Sequence, residues 1–315
     1  MAELLADRGV LFLISGNRHL NVLVVAIHSL RKSGWQGSIH IACGDDAAEP
    51  VVRMIAKDER LRGYGDITWK RWKKPDEQRN DKYRQKTFMD QLTLFEQTVY
   101  LDADTLVLGS IEPLFQFGPH AVTLTQFSDW SSNGRKIPNR ILPWRDVAPA
   151  DVDEMISKPY PAINTGIMAF DRSEASQKFF QEWRELTAKR VCFICDELSC
   201  QLIFHRHACR VLDDRWNASP IHSERARGGQ AALTNGQVVI LHGHGFKFIK
   251  RDQGRAIWWP WYDECVKANI AGIADWTPGG DKHLRAVLEG SRDGAGTPDD
   301  EETAPCHEDE EAALP

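Results

Sequence analysis

Nowhere does this chain of 315 residues run through the roughly 20 consecutive apolar positions that a membrane-spanning helix needs. Its first residues, Met1-Ala2-Glu3-Leu4-Leu5-Ala6-Asp7, lack the basic and apolar segments of a secretory signal. The seven cysteines are an odd number without an export signal to accompany them, so we read them as reduced thiols of a cytoplasmic protein. Cys192, Cys195, Cys200 and Cys209, with His205 and His207 between, match no common zinc-finger spacing. With no flanking glycine or turn residues, they read as small side chains of a buried helix. A strong positive charge is missing too. The formal net charge is −6, and residues 290–315 carry nine acidic residues and one basic, which leaves the remainder at about +2. That near-neutral body argues against nucleic acid as a partner, although Lys70, Arg71, Lys73, Lys74, Arg79, Lys82, Arg84 and Lys86 form a local basic stretch beside Trp69, Trp72 and Tyr83.

What is present is a strand–helix cadence. Val10-Leu11-Phe12-Leu13-Ile14 predicts a first strand that stops at Ser15-Gly16-Asn17, and residues 19–32 carry Leu20, Leu23, Val24, Ile27 and Leu30 at helical spacing with Asn17 as a cap. Residues 38–43 predict a second strand, 51–57 a short helix and 66–69 a third strand. This alternation specifies a parallel sheet with crossovers, whose ligands bind beyond the carboxyl ends of the strands. Residues 121–125, 161–171 and 237–241 predict further strands, and Glu174 to Lys189 a helix. The polar segment from Asp129 to Tyr160 is long for a passive connection and reads as a lid or acceptor loop. The acidic end, punctuated by Gly and Pro, has the composition of a disordered tail.

Chemistry concentrates at strand ends. Thr98-Val99-Tyr100-Leu101 leads into Asp102-Ala103-Asp104, and a second apolar run follows. Residues two apart on an extended backbone share a face, so the two carboxylates aim together and need a positive group between them. A hard divalent cation with oxygen ligands is the simplest answer; a pair of turn aspartates capping the next element is the plainer alternative. Lys86 and Arg84 are placed to reach a phosphate held there. Asn164-Thr165-Gly166 stands at the mouth of another strand, where an amide and a glycine suit close ligand approach. Asp196-Glu197 is an acidic pair in an apolar segment, matched to sugar hydroxyls or to a helix cap. His242-Gly243-His244-Gly245-Phe246-Lys247 ends the last strand and offers an imidazole to the same cation and an ammonium to a phosphate. Trp258, Trp259 and Trp261 predict packing of a final helix or, with the basic residues before them, interfacial membrane contact. The sequon Asn217-Ala218-Ser219 has no evident use in an unexported chain.

Taken in this order, Tyr100-Leu101-Asp102-Ala103-Asp104-Thr105-Leu106-Val107, Asn164-Thr165-Gly166 with Met168-Ala169-Phe170, Asp196-Glu197, and His242 with Gly245 resemble the GT-A-fold glycosyltransferases of the glycogenin and bacterial lipopolysaccharide galactosyltransferase kind. The resemblance implies an α/β, Rossmann-like GT-A catalytic domain with a mixed, mostly parallel sheet over residues 8–250. A helical extension (251–289) would pack on it, with an acidic tail (290–315) beyond. It implies a hexosyltransferase that retains anomeric configuration, using a nucleotide-diphosphate sugar (a UDP-sugar) and a glycan, lipid-linked or protein acceptor. Asp102, Asp104 and His242 would ligate Mn²⁺. Ser15, Gly16 and Asn17 would meet the base and ribose, while Ala103, Asn164, Thr165, Gly166, Gly245 and Lys247 would line the donor site. Asp196 and Glu197 would stand at the transferred sugar. Two departures are visible: Asp196-Glu197 replaces the family's usual Asp-Gln, and Lys247 follows Gly245 by two positions instead of three.

Two rival readings draw on the same residues. The run Leu101-Asp102-Ala103-Asp104-Thr105 also resembles the first motif of haloacid dehalogenase-type phosphatases, with Asp213-Asp214 as a late acidic motif. That motif opens its domain, whereas some 100 residues precede it here. A nucleotide-sugar-binding protein without catalysis is the other reading.

Overall fold

Alternation along the first strand sets up the architecture. In β1 (Ala6–Ile14), Val10, Phe12 and Ile14 join one apolar cluster and Leu11 joins a second, so the strand is buried from both sides. The computed structural model describes residues 5–15, 20–44, 48–72, 84–131, 148–157, 160–189, 195–219, 236–243 and 258–276. Its other strands are β2 (Ser38–Cys43), β3 (Ile67–Arg71), β4 (Phe95–Leu101), β5 (Thr105–Val107), β6 (Val122–Ser131), β7 (Pro161–Asp171), β8 (Arg210–Leu212) and β9 (Ile240–His242). Seven of them form one sheet in the order β3-β2-β1-β4-β7-β6-β8, parallel throughout except for β7, which runs against both neighbours. This is the α/β, mostly parallel mixed sheet expected of the GT-A fold.

Helices cover both faces. On one lie α1 (Leu20–Lys32), α2 (Glu49–Lys57) and α7 (Trp259–Lys267); on the other α3 (Met89–Leu92), α4 (Pro149–Ser157), α5 (Glu174–Ala188) and α6 (Cys195–Ile203). Nearly every residue of α1 is buried, because it sits between the sheet, β5 and α7. Helix α5 starts where Ser173 accepts a hydrogen bond from the backbone N–H of Ser176, a serine N-cap. Trp258 is 5% exposed and stacks on Tyr262, while Trp259 and Trp261 are half-buried against the same core as α1. Thus α7 packs against α1 through its aromatic residues.

Three local expectations change. The 129–160 segment is not a bare loop, since β6 extends to Ser131 and α4 occupies Pro149–Ser157; residues 132–147 lie outside the described residues. The strand expected over 237–241 shortens to β9 and pairs antiparallel with β5 in a separate two-stranded ribbon, Thr105 opposite His242. Asp102 and Asp104 leave the strand: residues 102–104 connect β4 to β5, so a turn, not strand alternation, brings the carboxylates together. Residues 16–19, 73–83, 244–257 and 277–315, which include Gly16, Asn17, Gly245, Lys247 and the acidic tail, are also outside the described residues.

Candidate functional site

Four pieces of chain converge beyond the carboxyl ends of β1 and β4. The β4–β5 turn supplies Asp102 and Asp104. Because β9 pairs with β5, His242 arrives beside them, and the N–H of Gly243 binds the carbonyl of Asp104 (2.8 Å). Strand β7 contributes Gly166, whose carbonyl accepts from the N–H of Asp102 (2.7 Å). Its pairing with β6 jumps from Leu124–Met168 to Thr125–Asn164, an irregularity that frees the Asn164-Thr165-Gly166 corner. The first turn of α6 supplies Asp196 and Glu197.

His242 Nε2 lies 3.4 Å from Asp102 Oδ2 and 3.3 Å from Asp104 Oδ1. One ligand atom from each of the three residues falls within 4.8 Å of the others, a cluster of two carboxylates and one imidazole. Two hard oxygens and a borderline nitrogen suit Mn²⁺ or Mg²⁺. Burial works against a charged His242, but Asp104 and Asp102 overcome it and raise the imidazole to about 9. Without a cation, the imidazolium itself holds the two carboxylates together.

A lysine completes the charge arrangement. Lys86, in the short 3-10 turn Gln85–Phe88, donates to Asp102 Oδ2 (2.8 Å) and stands 3.6 Å from Asp196 Oδ2. Burial would lower its ammonium, yet Asp102 and Asp196 carry it above the ordinary lysine value. Burial would raise Asp102, but Lys86 and His242 bring it down to about 2. Tyr100 also donates its hydroxyl to Asp102. Asp196 differs: burial pushes its carboxyl above the usual range despite Lys86 and a hydrogen bond from Thr165 Oγ1 (2.9 Å). Trp183 Nε1 binds the Asp196 carbonyl (2.8 Å), which ties α5 to the start of α6. Glu197 Oε2 accepts from Asn164 Nδ2 (2.8 Å).

Asp102, Asp104, His242, Lys86, Asn164, Thr165, Gly166, Asp196 and Glu197 thus form one connected cluster, with Ala103 in its turn. Ser15 directly follows β1, and Arg84 reaches the carbonyl of Ala188 (3.2 Å) at the C-terminal end of α5. In the cysteine-rich segment, Cys192 lies outside the described residues. Cys200 is pushed well above the ordinary thiol value and Cys209 to about 12, both by burial, and His207 is engaged with Glu182 (2.8 Å). Sequence reasoning missed Asn217, which is fully buried beside His242. Its only signal was an asparagine between Trp216 and Ala218, and that signal read as a sequon. Sequence reasoning also assigned no site role to Tyr100, whose ring is buried in the second cluster.

Residues 11–248 match the model of glycosyl transferase family 8. Among solved structures, the chain is similar to the galactosyltransferase LgtC in complex with donor and acceptor sugar analogues, at 13% identity over 87% of this chain and 99% of that one, TM-score 0.55. It is also similar to the apo form of the bifunctional glycosyltransferase WbbM, at 12% identity over 88% of this chain and 51% of that one, TM-score 0.55. A third similarity is to apo mouse xyloside xylosyltransferase 1, at 16% identity over 76% of this chain and 98% of that one, TM-score 0.50. The chain spans about half the length of WbbM. Such low identities speak to the fold alone. No curated protein matches the chain closely enough to count as a relative. The family match covers most of the chain, including both aspartates of the β4–β5 turn and His242, and on that ground the chain belongs to glycosyl transferase family 8, a family of GT-A-fold glycosyltransferases.

Proposed function

We propose that this glycosyltransferase is metal-dependent and moves a hexose from a UDP-sugar to a glycan, lipid-linked or protein acceptor with retention of anomeric configuration. One observation carries the reading: Asp102, Asp104 and His242 present ligand atoms within 4.8 Å of one another beside the half-buried ammonium of Lys86. These three residues would hold Mn²⁺ or Mg²⁺. When bound, the cation stabilises the negative charge that collects on the departing diphosphate.

The remaining work falls to the chain itself. Lys86 neutralises Asp102 and Asp196 and keeps a fixed positive charge within reach of the leaving group. Asn164 and Gly166, bonded to Glu197 and to the N–H of Asp102, would lie near the sugar. Asp196 and Glu197, in the first turn of α6, would stand at the sugar, one held by Thr165 and the other by Asn164. They are the carboxyls available to the anomeric centre. Ser15, Gly16 and Asn17 would receive the base and ribose, and Gly245 and Lys247 the diphosphate.

Nothing favours the phosphatase alternative, whose first aspartate belongs after a first strand; Asp102 follows the fourth. Release of nucleoside diphosphate from a panel of nucleotide sugars, with Mn²⁺, with Mg²⁺ and with EDTA, tests the proposal. Turnover of one donor that EDTA abolishes supports it and names the donor. Turnover unchanged by EDTA overturns the metal dependence.

A further inference from the structure

Asn217 lies after β8 at the C-terminal cap of the 3-10 turn Asp214–Trp216, and none of it is exposed. A glycan could not be attached there in the folded protein. The backbone around it is stitched to β9: Ala218 N–H binds Ile240 O (3.0 Å) and His242 N–H binds Ala218 O (2.9 Å). The Asn217 amide therefore lies beside the imidazole, its Oδ1 2.9 Å from His242 Nδ1.

The direction of these bonds follows from groups that have no choice. The N–H of Gly166 can only donate, so the Asn164 atom 2.8 Å from it is the carbonyl oxygen. The same oxygen is 3.1 Å from the Asn217 amide, whose facing atom must then be the NH₂ group. Thr125 agrees independently. Its hydroxyl spends its proton on the carbonyl of Ile167 (3.0 Å) and so accepts from Asn217 Nδ2 (2.8 Å). With both amide protons assigned, the Asn217 oxygen faces His242, and Nδ1 of the ring must carry the hydrogen. The lone pair left for a cation is that of Nε2, the atom facing Asp102 and Asp104.

We infer that Asn217 is a positioning residue: it fixes the ring orientation and the Nδ1–H form of His242, and through Asn164 it ties that ligand to Glu197. A ligating histidine commonly gives its other N–H to such an acceptor, and loss of the acceptor typically weakens metal binding about 10–100-fold. The inference rests on the cation reading of Asp102, Asp104 and His242.

Its test compares the wild type, Asn217→Leu and Asn217→Asp. Free Mn²⁺ is followed by electron paramagnetic resonance without donor, and the histidine nitrogens are followed by ¹⁵N NMR in the metal-free and Cd²⁺-loaded proteins. Thermal melting identifies the folded variants. Asn217→Leu removes the acceptor and is expected to weaken Mn²⁺ binding about 10–100-fold, with the His242 Nδ1–H resonance shifted or lost. Asn217→Asp keeps an acceptor for Nδ1 but turns its other oxygen toward Asn164 Oδ1, so it should bind Mn²⁺ more weakly than wild type and more tightly than Asn217→Leu. Equal losses in both folded variants, or wild-type affinity and an unchanged Nδ1–H resonance in Asn217→Leu, would overturn the inference. Should the wild type bind no Mn²⁺, the cation reading fails by itself. The ¹⁵N comparison in the metal-free protein then still decides whether Asn217 fixes the ring.

Discussion

The imidazole of His242 lies against Gly166: a β-carbon at Gly166 would stand 2.2 Å from Cε1 and 2.7 Å from Nδ1 of the ring. No side chain fits there, and Asn164 Oδ1 closes the same space at 2.8 Å. The glycine is therefore required by the ring it supports and not by a turn conformation.

Gly166→Ala consequently acts at a distance of one side chain. The ring must shift, at an overpacking cost of about 1–3 kcal/mol. Mn²⁺ affinity should fall more than the affinity for a nucleoside diphosphate measured without metal. Isothermal titration of each ligand checks this, and equal effects on both would contradict it.

Asp104→Asn keeps the shape of the carboxylate and removes its charge. We expect turnover to fall about 10²–10³-fold, the scale set by loss of a fixed charge stabiliser. His242 should lose the part of its elevation that Asp104 supplies and titrate closer to its ordinary value, which ¹H–¹³C spectra of the ring resolve.

Lys86→Met separates two effects of one lysine. Its ammonium competes with a cation for Asp102 while neutralising Asp196. Turnover should drop at least about tenfold, whereas Mn²⁺ binding should not weaken. Parallel losses in both would place Lys86 in the metal site's support instead.

Two histidines give the metal-free protein opposite pH limbs. His242 is raised from 6.5 to about 9, so its stabilisation is complete below pH 6.5 and disappears as pH rises through 9. His40, buried in β2 with Nδ1 2.9 Å from Thr68 Oγ1, is lowered by burial to about 4. Its contribution is complete above pH 6.5 and is lost as pH falls toward 4, by about 3 kcal/mol at most. Urea unfolding in EDTA should therefore be most resistant near pH 6.5, and His40→Gln should flatten the acid limb alone. With Mn²⁺ present the alkaline limb should flatten as well, because the cation takes the place of the Nε2 proton and binds more tightly as pH rises.

Much of this was written in local pattern. Alternating and continuous apolar runs such as Val10 to Ile14 and Ser38 to Cys43 specified the parallel strands, because a strand covered on both faces must be apolar on both. The Asp102-Ala103-Asp104 run between two apolar segments located the site, since buried carboxylates in such a frame need a counter-charge. Asp196-Glu197 stood out for the same reason, an acidic pair that an apolar segment must partner. The tertiary structure decided what depends on residues far apart in the chain. Pairing of β9 with β5 carries His242 to Asp104 across more than a hundred residues, Lys86 settles between Asp102 and Asp196, and the β6–β7 irregularity turns Asn164 toward Asn217. A buried asparagine has no periodicity or charge run to announce it; its role resides in the direction of the three hydrogen bonds of its amide, and those exist only once the strands have met.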